Sequence, residues 1–281
     1  MKTRITSLLL VLTVTMSFGQ SLSQTLTTYL QQLPSGVKVN LAVESLTDSK
    51  NAFFHVADEP VPAASVIKLP ILIEAMEWVK EGKLNLDEKH TLLATEKTGG
   101  SGILGTYPAG STLAYQDLIT LMMTHSDNTA TNILIQKLGM DAINRRDQSL
   151  GLKQTRLNRV MMDTLAAKQG RENYVTAREM NSLLKKIYHH EVATPVLCDQ
   201  MIDILKNNRD TLTIPRLLPK TVAIAHKTGM LAYVRGDVGI VYRNDGPAKG
   251  PFVLSVFVQG TTTEEAERII GELAQLGYKQ L

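Results

Sequence analysis

One cysteine in 281 residues excludes an intrachain disulfide, so stability must come from a packed core rather than a covalent staple. That residue, Cys198, sits in an apolar helical pattern with Val196, Leu197, Met201 and Ile204, the setting of an inert buried thiol rather than a nucleophile. No cysteine stands beside the N-terminal apolar run to carry a lipid. Neither sign of charge dominates: 30 Lys and Arg against 27 Asp and Glu leave a small excess of +3, scattered along the chain, which gives no footprint for nucleic acid or an anionic membrane. The six histidines, the adjacent His189 and His190 included, form no ligand-spaced pattern, so neither a metal nor another cofactor is implied. Beyond the N-terminus no apolar run approaches the ~20 residues of a membrane span, and no internal repeat or low-complexity linker interrupts the chain.

What is present is an ordinary globular composition, 43% hydrophobic, enough for one large domain or two closely packed lobes. Residues 1–20 have the layout of an export signal: Lys2 and Arg4, an apolar run from Ile5 to Val14, then small Ser17 and Gly19 spaced as at a cleavage site. The mature protein is expected to begin near Gln20, to be periplasmic or secreted, and to be a monomer.

Leu22, Leu26, Tyr29, Leu30 and Leu33 recur at helical spacing before the Pro34-Ser35-Gly36 turn. Two strands follow, one alternating over Val37–Val43 and one over Ala52–Val56. From Ser65 the period becomes helical through Val79, ending near Gly82. Further helices are predicted over Tyr115–Thr124, Thr129–Leu138, Thr176–Tyr188 with a capping box from Thr176 to Glu179, and from Thr194-Pro195 onward. Strands return at Thr221–His226, Val238–Tyr242 and Phe252–Val258, before a helix over Thr263–Leu276. The economical arrangement is α/β: an antiparallel sheet built from both ends of the chain, about 21–62 and 210–281, flanked by helices, with an all-helical lobe of about 63–209 and a cleft between them.

A hydroxyl nucleophile needs a base within reach, and Ser-x-x-Lys at a helix start stacks the two side chains one turn apart. Ser65-Val-Ile-Lys68 fits, but so do Ser35 with Lys38 and Ser182 with Lys185; Lys-Thr-Gly likewise occurs at Lys97 and at Lys227. Order separates signal from decoy. Ser65-x-x-Lys68, then Ser126-Asp127-Asn128, then Lys227-Thr228-Gly229 form a combined signature of serine acyl-transfer enzymes, and on these residues the chain resembles the class A β-lactamase family of the serine β-lactamase and penicillin-binding protein superfamily.

The resemblance implies a sheet-and-helix β-lactamase/transpeptidase fold from residue 21 to the C-terminus. It implies a serine hydrolase that forms an acyl-enzyme on Ser65, without a cofactor, acting on β-lactams or peptidoglycan-like amides. Lys68 would be base or proton relay, Ser126 would pass a proton to the leaving nitrogen, and the N–H groups of Ser65 and Met230 would form the oxyanion hole. Asn128, Lys227, Thr228, Gly229 and Arg235 would bind substrate. His125 and His226 flank the second and third motifs as tuning or structural groups.

One position departs from the family. Class A enzymes release the acyl group with a loop glutamate that activates water, and in the stretch Arg156-Leu157-Asn158-Arg159-Val160-Met161 that place is taken by Met161, whose thioether abstracts no proton. The loop asparagine that holds the water corresponds to Leu165. Asp163 is the candidate displaced base, or the cap of a following helix, and Glu172 is the next carboxylate. The first expectation is a class A-like β-lactamase that hydrolyses β-lactam amides by another deacylation route; the alternatives are a penicillin-binding, D,D-peptidase-like or esterase enzyme with poor β-lactam turnover, or a β-lactam-binding sensor.

Overall fold

The computed structural model describes residues 21–243 and 250–281; the signal expected over 1–20 lies outside them. The main sheet has five strands, β1 (Lys38–Ser45), β2 (Ala52–His55), β7 (Ile224–Leu231), β8 (Val234–Val241) and β9 (Phe252–Gln259), in the order β2-β1-β9-β8-β7. Every neighbouring pair is antiparallel, so β1 from the N-terminal end lies between β2 and the C-terminal strand β9.

Alternation along these strands feeds two cores. Phe252, Leu254, Val256 and Val258 of β9 join Leu41 and Val43 of β1 on one face, where α1 (Leu22–Gln31) and α9 (Thr263–Gln280) cover them. Val253 and Phe257 point the other way, into the core shared with the helices α2 (Lys68–Lys80), α3 (Tyr115–Thr124), α4 (Asn128–Leu138), α7 (Ala177–Tyr188) and α8 (Pro195–Lys206). Cover on both faces explains why β8 is buried along its whole length and β9 along all but its last residue. Each large apolar side chain enclosed this way contributes about 1.5–3 kcal/mol relative to exposure.

The stretch predicted to be all-helical also carries strands: β4 (Lys89–Thr91) pairs with β5 (Thr112–Ala114), and β6 (Tyr174–Val175) pairs with β3 (Val61–Pro62) just before it. Helix α5 (Met140–Ser149) was not legible as a periodic pattern, because its sequence is dominated by Asn, Arg, Asp and Gln and buries only Ile143 and Asp147. A short α6 (Thr164–Lys168) follows the loop after Arg159.

Two expectations are corrected at the ends of elements. Strand β7 does not stop at His226 but runs through Lys227-Thr228-Gly229 to Leu231. The capping box of α7 is half made: Thr176 accepts the Glu179 N–H, while the Glu179 carboxylate turns to the loop N–H groups of Lys153, Gln154 and Thr155. Cys198 is buried as expected, its thiol donating to Val192 O and its pKa raised by burial.

Candidate active site

Ser65 does not open the long helix itself. It lies on a single 3₁₀ turn, Ala64–Ile67, and α2 starts at Lys68. In a 3₁₀ turn side chains three apart eclipse one another, and Lys68 Nζ accordingly lies 3.0 Å from Ser65 Oγ. Pro70 is accommodated because the first turn of a helix has no carbonyl partner for its missing N–H.

The second motif closes around the same amine. Lys68 Nζ is 2.7 Å from Ser126 O, 3.0 Å from Ser126 Oγ and 3.0 Å from Asn128 Oδ1. An ammonium can donate to only three of these four oxygens. A neutral amine donates two hydrogens and accepts one, which makes it the proton acceptor for a neighbouring hydroxyl. Lys68 is fully buried, and burial first, then the charge of Lys227, hold its pKa well below the ordinary lysine range against the opposing pull of Asp127.

Asp127, between the two polar partners, is structural. Its Oδ1 caps α4 at Ala130 N, and its Oδ2 accepts from Ile103 N and Leu104 N at 2.7 Å, tying the 99–104 loop to the motif. Gly102 makes this approach feasible, since a Cβ there would sit 2.3 Å from the Asp127 carboxyl. The Lys97-Thr98-Gly99 sequence, a decoy by motif order, serves the same loop: Gly99 O accepts from Asn128 Nδ2 and Thr98 Oγ1 from Asn132 Nδ2. The other decoys lie apart from it, Ser35 in the turn after α1 and Lys185 of α7 paired with Glu44.

The third motif arrives on β7, the edge of the sheet, whose free side packs on the serine turn. Gly229 is required there because a Cβ would meet Ala63 O at 2.9 Å and Ala64 Cβ at 3.1 Å. Lys227 is fully buried, its Nζ donating to Thr228 O at 2.8 Å, and burial pushes its amine down to about 8. Ala64, Ser126 and Met162 all hold positive φ without being glycine, so left-handed backbone strain gathers around this cleft.

Two adjoining depressions meet at Ser65 and Met230. One, of 370 Å³, is lined by Ser126, Lys227, Thr228, Arg235, His125 and Arg209 among others. The second, of 430 Å³, is walled by Asn128, Met161, Met162, Leu231, Tyr233 and Glu172. Ser65, Lys68, Ser126, Asn128, Lys227, Thr228, Gly229 and Met230 therefore converge. Arg235 reaches the first depression but is already engaged: its guanidinium bonds Asp210 at 2.5 Å, Glu267 at 3.0–3.1 Å and Gly229 O at 3.4 Å. His226 is a structural residue, buried with Nδ1 3.0 Å from both Asp237 oxygens.

The loop carboxylates take other work. Asp163 Oδ1 accepts Ala166 N and caps α6, and Asp163 is absent from the walls of both depressions, so the geometry removes the support for a displaced base there. Glu172 does face the cleft, but it is paired with Arg159 over 2.8–3.0 Å and accepts Asn173 N at 2.7 Å, closing the neck of the loop. Met161 is buried in the cleft wall, while Leu165 is 65% exposed. Asn132, Asp210 and Glu267 were missed in the sequence because each acts through partners far along the chain.

The profile of the β-lactamase enzyme family matches residues 21–281. The chain belongs to that family. Among curated β-lactamases, VEB-1 of Pseudomonas aeruginosa is 25% identical over 278 residues, covering 85% of this chain and 89% of the relative, and PER-1 of the same organism is 27% identical over 239 residues, covering 79% and 75%. Among solved structures, PBP-A superposes with a TM-score of 0.83 at 29% identity over 92% of this chain and 94% of its own. A leucine-to-glutamate variant of PBP-A, solved as an acyl-enzyme complex with penicillin G, matches equally well. The antiparallel sheet with its helices is thus the β-lactamase/penicillin-binding fold, and a β-lactam hydrolase-like function follows at the level of the family.

Proposed function

We propose that the protein is a serine hydrolase that is acylated on Ser65 by β-lactam amides and releases the acyl group slowly. The observation that carries this reading is the single buried amine of Lys68 touching both serine hydroxyls, with a methionine in the wall where the family carries its glutamate. Lys68, neutral, takes the Ser65 proton as Oγ adds to the amide carbon. Ser126 returns a proton to the leaving nitrogen through the same amine, and the N–H groups of Ser65 and Met230 receive the developing oxyanion. The C–N bond breaks and an ester to Ser65 remains.

Release of that ester needs an activated water. Met161 cannot supply the base, Asp163 is a cap, and Glu172 is held by Arg159. This favours the penicillin-binding alternative for β-lactams over rapid hydrolysis, in keeping with the likeness to PBP-A. Asn128, Lys227 and Thr228 would bind the substrate amide and carboxylate, with Gly229 allowing the strand its close approach. The site lies between the proposed sheet lobe (21–62 and 210–281) and helical lobe (63–209).

We also place the protein outside the cytoplasm, cleaved after its N-terminal signal; among the described residues no helix is long and apolar enough to cross a membrane. The test of the site is Ser65→Ala, expected to lose all covalent labelling by a fluorescent penicillin while keeping the parent melting curve. Labelling that survives the substitution would overturn the assignment.

A further inference from the structure

Resting on the acylation reading above, the charges around the first depression raise the question of which cation meets an anionic substrate. Arg235 is buried and faces two carboxylates, Asp210 and Glu267. Lys227 is enclosed and turned to Thr228 O. Asp210 in turn is held by Arg235 and by Leu212 N, with Thr228 also lowering its pKa, so its charge is committed along the floor of the site.

Arg209, next in sequence to Asp210, differs from all of these. It lines the same depression as Ser65, Ser126 and Thr228, its side chain is exposed, and no carboxylate of the described residues pairs with it. Its backbone N–H donates to Thr124 O at 3.3 Å, which fixes the start of the side chain beside the second motif. Its charge reaches His125, whose pKa is lowered by burial first and then by Arg209. Thr124 Oγ1 donates to Thr120 O and lies 2.9 Å from His125 Nδ1, which holds the imidazole beside the second motif.

We propose that Arg209 is a specificity-determining residue that pairs with the carboxylate of an anionic amide substrate, completing the cradle begun by Lys227 and Thr228. A guanidinium offers two parallel donors to a carboxylate, and one without an internal partner gives up no existing ion pair to do so. The substrate class this selects is an amide bearing a free carboxylate close to the scissile bond, over the same amide esterified.

The experiment measures second-order acylation rates of the full protein with a penicillin and with its methyl ester, for the parent, Arg209→Gln and Arg209→Lys. Arg209→Gln is expected to slow acylation by the acid about tenfold or more, the size of a charged hydrogen bond, and to leave the ester rate unchanged; Arg209→Lys is expected to recover part of the loss. Raising salt should erode the acid-over-ester preference of the parent more than that of Arg209→Gln, in which only the buried and less screened Lys227 remains. Equal losses on acid and ester, or no loss on either, would overturn the role of Arg209 while leaving Ser65 acylation standing. A parent protein that neither compound acylates would remove the acylation reading and this one with it. Because the side chain is exposed, melting curves of the variants are expected to match the parent.

Discussion

Asn132 grips the backbone of Met161 from both sides, its Oδ1 accepting the Met161 N–H at 2.8 Å and its Nδ2 donating to Met161 O at 3.1 Å. The position proposed to correspond to the family's water-activating glutamate is therefore held firmly in the cleft wall, and its thioether is no base.

Met161→Glu should supply that chemistry. A positioned general base contributes about 10²–10⁴-fold, so the half-life of the penicillin acyl-enzyme is expected to shorten by at least about tenfold, measured as loss of label after excess antibiotic is removed. An unchanged half-life would mean that the backbone clamp does not aim position 161 at the ester.

Asp163→Ala provides the contrast. Loss of the α6 cap is expected to cost about 0.5–2 kcal/mol, read by denaturant titration, with the acyl-enzyme half-life unaltered. A longer half-life in Asp163→Ala would restore that carboxylate as a base.

The buried amines predict a bell-shaped pH profile for acylation by a carboxylate-bearing β-lactam. On the acid side the rate falls as Lys68 gains a proton and ceases to be a base. On the alkaline side Lys227, pushed down to about 8 by burial, loses the charge that attracts the substrate. The methyl ester of the same compound is expected to keep the acid limb and lose the alkaline one, and equal alkaline limbs for both would contradict the role of Lys227.

Asp147 gives a stability prediction away from the site. Its Oδ2 is buried without a hydrogen-bond partner, and burial first, then Glu179 and Glu74, push its carboxyl up to about 8. The folded protein keeps this proton while the unfolded chain releases it near the ordinary carboxylate value of about 3.9, so the folded state binds more protons between those values and stability falls as pH rises through the window. Asp147→Asn is expected to raise the melting temperature at neutral pH, by a margin that shrinks toward about pH 4. A margin independent of pH would indicate a packing effect only.

The three motifs were legible in the sequence because each is local: a serine with its lysine one turn away, a helix cap, and a strand end. The same holds for β1, β9 and α9, whose apolar periods are strong. What the sequence concealed depends on contacts across long separations. Helix α5 is too polar to announce itself and is held instead by long-range contacts such as Arg146 to Glu74 and Asn144 to Leu157. The 3₁₀ turn under Ser65 follows from the left-handed Ala64 and the close approach of Gly229, neither visible in a hydrophobic pattern. Arg235 reads as a free strand-end cation until Asp210 and Glu267 are brought beside it by the loop after α8 and by α9.

The most direct test of slow release is time-resolved intact-protein mass spectrometry with penicillin, with peptide mapping of the adduct and product absorbance followed in parallel. The predicted result is one antibiotic mass added to each chain, mapped to Ser65, persisting long after free penicillin is removed while product accumulates slowly. An adduct that vanishes as fast as it forms, an adduct on another residue, or no adduct would contradict it.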